Sequence, residues 1–61
     1  MKLWIARDKN GTLALHEVRP YCPYNTWHNS NQEFYLDNDL FPEVNFENSP
    51  QQVEIKLIKS L

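Results

Sequence analysis

The sequence predicts a mainly β fold: a small antiparallel sheet of four or five short strands, able to curl like a minimal barrel, with at most one short helical turn. Three observations predict it. Apolar and polar residues alternate in "QQVEIKL", the period of a half-buried strand, and the apolar-rich runs "KLWIAR" and "TLALHEV" flank a turn signal. Turn-forming residues separate these runs, in "DKNG" and "NSPQ". Only "DLFPEV" carries a helix-start signal, with Asp39 placed as a cap, and Pro42 keeps that helix to one turn.

The opening pair of strands is the most determined element. Asp8 at the first turn position and Gly11 at the last suit a type I turn, with Gly11 at positive φ as a bulge. A two-residue Asn10-Gly11 turn competes, and the apolar pattern decides, because a one-residue slip moves every side chain to the other face. In the bulged register Ile5 opposes Leu15, Arg7 opposes Leu13 and Asp8 opposes Thr12. Leu3, Ile5, Leu13 and Leu15 then share one face, and Trp4, Ala6, Ala14, His16 and Val18 the other. The alanines make the Trp4 face the shallower one, with room for an indole or a second chain.

The stretch "RPYCPYNTWHNSN", residues 19–31, follows. Pro20 and Pro23 cannot donate to a ladder, so it is a connection. A sheet without a long helix needs its apolar surface covered. The stretch is therefore expected to be chiefly a lid, with Trp27 mostly buried against the sheet and Tyr21 or Tyr24 beside it. A third strand is expected around Glu33 to Leu36, a brief one in "VNFEN", and a closing one with Val53, Ile55 and Leu57 inward and Glu54 and Lys56 outward. Ile58 breaks that alternation and is expected to face a partner or a second cluster.

The 61 residues make a single small domain over 1–61. A chain this short buries only about 60% of its unfolded surface, so its stability is marginal. Cys22 is the only cysteine, which excludes an internal disulfide and points to a reducing compartment. Leu3 to Ala6 is too short an apolar run for a signal peptide, and no window approaches a membrane span. A cytoplasmic protein with no membrane association is expected.

The net charge of −2 excludes little, but its distribution is uneven. Every Lys and Arg lies at Arg19 or earlier, or at Lys56 or later, while Glu33, Asp37, Asp39, Glu43, Glu47 and Glu54 lie between. Nucleic-acid binders need a basic patch to replace counterions on phosphate. Stacking platforms interleave aromatics with cations, and here Tyr21, Tyr24, Trp27, Phe34 and Tyr35 have only Arg19 beside them.

Chemistry-bearing constellations are thin. Cys22, His28 and His16 lack the paired spacing of structural zinc ligands. Cys22 has a proline on one side and a tyrosine on the other, neither of which lowers a thiol pKa, so a Cys22–His28 nucleophile is not favoured. Asp37 and Asp39 match the start of a calcium loop, but its glycine and remaining ligands do not follow. Paired carboxylates for glycoside hydrolysis come with no cleft. No catalytic residue, metal or cofactor is assigned.

The leading expectation is a non-enzymatic protein acting through protein contacts, above all self-association. Trp4, Tyr21, Tyr24, Trp27 and Ile58 are its candidate interaction residues, since Tyr and Trp suit interfaces. The alternatives are a small nucleic-acid-associated module using Lys2, Arg7, Lys9 and Arg19, and an acidic inhibitor docking on a basic protein.

The run Trp4, Ala6, Arg7, Asp8, Lys9, Asn10 and Gly11, then Trp27, then Leu40 to Val44 and Val53 to Ile55, resembles small proteins of Bacteroides-type gut bacteria and their mobile elements. These share W-x-A-R-D-[KR]-[DN]-G, a central Trp, L-F-P-E-[VL] and a closing V-E-[LI] strand. The group has no assigned activity, so the resemblance implies a bacterial setting and no site residue.

Overall fold

The computed structural model describes residues 1–56. Within them the chain is all β, with no helix. Strands β1 (Lys2–Arg7), β2 (Leu13–His16), β3 (Glu33–Leu36) and β4 (Gln51–Glu54) form one antiparallel sheet in the order β3-β2-β1-β4. The sheet is not closed, so the barrel-like expectation gives way to an open sheet whose edges are β3 and β4.

The hairpin adopts the bulged register. Ile5 pairs with Leu15 and Arg7 with Leu13. The Asp8 N–H donates to the Thr12 carbonyl at 2.8 Å, the Gly11 N–H to the Asp8 carbonyl at 2.9 Å, and Gly11 sits at φ +99°. That backbone conformation suits glycine because a Cβ clashes with the neighbouring peptide there.

Paired residues share a face, so the first face carries Leu3, Ile5, Arg7, Leu13, Leu15, Phe34, Leu36, Gln51 and Val53. Val44 packs onto it, and Ile5, Leu13 and Val44 form the core with Leu15, Leu36 and Val53 around them. Leu13 is fully buried. Burial of such a side chain contributes about 1.5–3 kcal/mol, which is substantial for a domain of this size.

Residues 37–49 bring Val44 onto this face, and they differ from expectation. No helical turn follows Asp39. The Asp39 N–H is instead taken by Asp37 Oδ1 at 3.0 Å, and Phe41 lies at φ +50°, a left-handed conformation incompatible with a right-handed turn. "VNFEN" is not a strand. Asn45 and Asn48 each accept the other's backbone N–H through a side-chain oxygen, at 2.9 and 2.8 Å, which replaces a ladder by a closed local ring.

The organising contact is Arg7. Its Nε donates to the Val44 carbonyl at 2.6 Å. Nη1 donates to Gly11 at 2.8 Å and Asn38 at 2.9 Å, and Nη2 to Leu40 at 2.8 Å and Phe41 at 3.1 Å. A guanidinium has five N–H donors, and here five carbonyls receive them. The Arg7 backbone N–H donates to Ser49 Oγ at 2.9 Å, joining the far end of the same loop to β1.

β4 is shorter than expected, although the ladder runs one residue further. The Ile55 N–H donates to the Met1 carbonyl, and the Met1 amine to the Ile55 carbonyl. Ile55 falls on the core face but is exposed, because no described residue covers that corner. Leu57 and Ile58 lie outside the described residues.

Replacing Arg7 removes donors from five carbonyls at once, the part-buried ones of Val44 and Gly11 and the exposed ones of Asn38, Leu40 and Phe41. Each charge-assisted hydrogen bond contributes about 1.5–3 kcal/mol when lost from a protected site. Arg7→Met is therefore expected to destabilise by at least about 3 kcal/mol, and Arg7→Lys nearly as much, because an ammonium cannot span the same fork. Lys2→Met should leave the thermal melt close to the parent's. Equal melts for the Arg7 and Lys2 variants would show that the carbonyl cluster holds nothing in place.

Candidate interaction surface

The 19–31 stretch lies over the Trp4 face, as a lid should. Its attachments are the Lys9 N–H to the Asn25 carbonyl at 3.0 Å, the Trp27 N–H to Asp8 Oδ1 at 2.8 Å, and the Arg19 guanidinium 4.9 Å above the Trp4 ring. A paired bridge between Tyr21 and His28 closes the lid on itself. Ala6, Ala14, His16 and Pro20 are buried beneath or within it.

The aromatic placement departs from expectation. Trp27 is half-buried, and its ring neighbour is Phe46 at 6.3 Å, where the lid meets the loop from the opposite face. Tyr21 and Tyr24 point outward, 62% and 86% exposed. The reason is that the Tyr21–His28 bridge turns the lid into a narrow hairpin with one side inward, and asparagine and tryptophan occupy that side. Of the candidate interaction residues, Tyr21 and Tyr24 are thus on the surface, Trp4 and Trp27 are half-covered, and Ile58 is not described.

His16 is the centre of the lid's contact with the sheet. It is 1% exposed, and Asn29 Nδ2 bonds to its Nδ1. Asn29 Oδ1 accepts the Asn31 N–H, which orients the amide with its nitrogen toward the ring. Nδ1 is therefore the acceptor and Nε2 carries the hydrogen. Nε2 is buried with no partner. Burial lowers the His16 pKa below 6.5, partly opposed by the negative charges of Glu33 and Asp8, with His28 adding slightly to the lowering. Glu33 lies 3.8 Å from His28 Nδ1, and its nearby carboxylate raises the Tyr35 pKa above 10.0.

Two regions of the surface were not legible as sites in the sequence. One is the β3 edge, whose outer backbone groups have no partner among the described residues and whose Phe34 and Tyr35 are 43% and 69% exposed, one on each face. The other is a groove of about 430 Å³ on the core face, lined by Ile5, Leu15, Leu36, Phe41, Val44 and Val53 among others. The strand expected around Glu33 to Leu36 is present, but the sequence did not reveal that it would be an edge. Among the described residues no group of three or more His, Cys, Asp or Glu is arranged to hold a metal ion. Arg7, one of the four cations of the nucleic-acid alternative, has its donors committed to carbonyls, and Arg19 lies on Trp4.

The His16 geometry gives a pH dependence of defined sign. The folded state favours the neutral ring, so the stabilisation is present above pH 6.5 and is lost as pH falls through the lowered folded-state pKa. Protonation also places a second hydrogen at Nδ1, facing the Asn29 amide hydrogens. The melting temperature of the parent should fall on acidification below pH 6.5 by more than that of His16→Gln. Parallel pH profiles for the two proteins would mean that His16 is charged, or indifferent, in the fold.

Comparison with protein-family models, with curated proteins and with solved structures finds no match. No helix among the described residues is long and apolar enough to cross a membrane.

Proposed function

We propose that this chain is a non-enzymatic cytoplasmic protein that works through protein contacts, and that it self-associates through the β3 edge. The observation that carries this reading is the bare edge itself. Sheet edges in monomeric proteins are guarded by Lys, Pro, bulges or covering loops. β3, Glu33-Phe34-Tyr35-Leu36, carries none of the first three and sets two large exposed aromatics beside its unpaired backbone.

A two-fold axis normal to the sheet keeps the two faces aligned, so residues of like parity pair across it. Centring on Phe34 sets the two Phe34 rings side by side and Glu33 opposite the partner's Tyr35. Centring on Tyr35 would set Glu33 against Asp37, two like charges. The Phe34-centred pairing is thus the favoured one, and it extends the sheet to eight strands. The single thiol supports the cytoplasmic assignment. The bacterial setting implied by the motif resemblance belongs to this reading as well.

A partner that binds only the folded state raises stability by mass action. The melting temperature is expected to rise over a hundredfold increase in protein concentration, with a dimer mass by light scattering at the upper end. Phe34→Lys should abolish both effects without lowering the dilute-solution melt. A flat melting temperature and a monomer mass throughout would remove the proposal.

A further inference from the structure

The β3 edge leaves the groove on the core face unassigned. Its floor is Ile5, Leu15 and Val53, and its wall is Phe41 and Val44. At about 430 Å³ it falls within the range of sites that hold a ligand or a few side chains. The wall is built, because Arg7 binds the carbonyls of both Phe41 and Val44. Phe41 is held there at φ +50°, which costs energy for a bulky side chain, yet its ring is 48% exposed. A ring that is strained and still half in water adds less to the core than a buried one, and it is well placed to meet a partner.

Charge indicates what the partner is. The loop that forms the wall carries Asp37, Asp39, Glu43 and Glu47, all exposed, and Glu43 lines the groove. Among the described strand residues Arg7 is the only Lys or Arg that parity places on the core face. At the β4 end Lys56 lies 3.7 Å from Glu54 and the Met1 amine donates to the Ile55 carbonyl, which leaves Glu43 as the groove carboxylate without a cation beside it among the described residues. By strand parity Lys2 falls on the opposite face, where Arg19 stacks on Trp4. The acidic wall also makes this groove a poor match for the same surface of a second copy. Along its far side runs β4, whose outer backbone groups have no partner among the described residues.

We infer that the groove receives an extended segment of another protein in which apolar side chains are flanked by Lys or Arg. The segment lies along β4, adds main-chain hydrogen bonds to that edge, places apolar side chains over Val53 and Ile5, and sets its cations against Glu43 and the neighbouring carboxylates.

The test uses the full chain and two synthetic peptides, acetylated Lys-Leu-Phe-Leu-Lys and the same sequence with Glu for Lys, titrated by amide NMR. The Lys peptide should shift Ile5, Val53 and Ile55 and bind about fivefold tighter than the Glu peptide at low salt, with the difference shrinking in high salt. Glu43→Lys should reverse the preference. Phe41→Gly, which suits the left-handed backbone, should keep the parent's melt and weaken the Lys peptide about tenfold. Phe34→Lys should leave binding unchanged, which separates this site from the self-association edge. Equal binding of the two peptides, or shifts confined to the lid or to β3, would overturn the inference. So would groove shifts that depend on protein concentration alone, or proton contacts from residues 57–61 to Val53, which would identify a second copy or the chain itself as the occupant.

Discussion

The structure depends on one guanidinium. Residues 37–44 cover part of the core face as irregular chain, so their carbonyls have neither a helix nor a ladder to satisfy them. Buried or half-buried backbone carbonyls left without donors are costly. Arg7 removes that cost at the part-buried carbonyls of Gly11 and Val44, and its remaining donors tie down the exposed carbonyls of Asn38, Leu40 and Phe41. Its position follows from the hairpin register, which directs the side chain from the end of β1 onto the core face beside Leu13 and Leu36. The hairpin thus determines where the loop can dock, and the loop in turn places Val44 over Ile5 and Leu13.

The two faces of the sheet are covered by different physics. The Trp4 face is closed by a short hairpin tied down through Asp8, Asn25 and Asn29, and the small Ala6 and Ala14 let it approach closely. The core face is covered by a loop whose height is set by Arg7, and that loop stops short of Leu15 and Val53, leaving the groove. Trp27 and Phe46 meet where the two coverings converge beside the hairpin turn. Two unpartnered polar atoms, His16 Nε2 and Trp27 Nε1, both belong to side chains at the lid. The lid is therefore the region where the fold gives up hydrogen bonds for coverage, and the core face is where it gives up coverage for hydrogen bonds.

This division shapes the surface available to partners. The acidic loop stands over the core face, and the cations that hold structure, Arg7 and Arg19, are engaged with carbonyls and with the Trp4 ring. On the core face and the β3 edge the exposed groups include Phe34 and Tyr35 on a bare strand, Phe41 at the groove mouth and the carboxylates beside it, while Lys2 and Lys9 are exposed elsewhere.

What the sequence by itself determined was local. Turn chemistry at Asp8 and Gly11 and the parity of Leu3, Ile5, Leu13 and Leu15 set the hairpin register, and alternation located most of β4, because both signals act within a few residues. The covering role of residues 19–31 was also legible, since two prolines exclude a ladder and a lone sheet needs covering. The tertiary structure alone decided the rest. Residues 37–49 read as a helical turn and a strand, but the partner that shapes them, Arg7, lies up to 37 residues away, and five donors at one point outweigh the weak preference for a single helical turn. Nor could the pattern show that Phe46 rather than a tyrosine would meet Trp27, or that β3 would be an edge, because strand order and loop packing are set by contacts that no local period records.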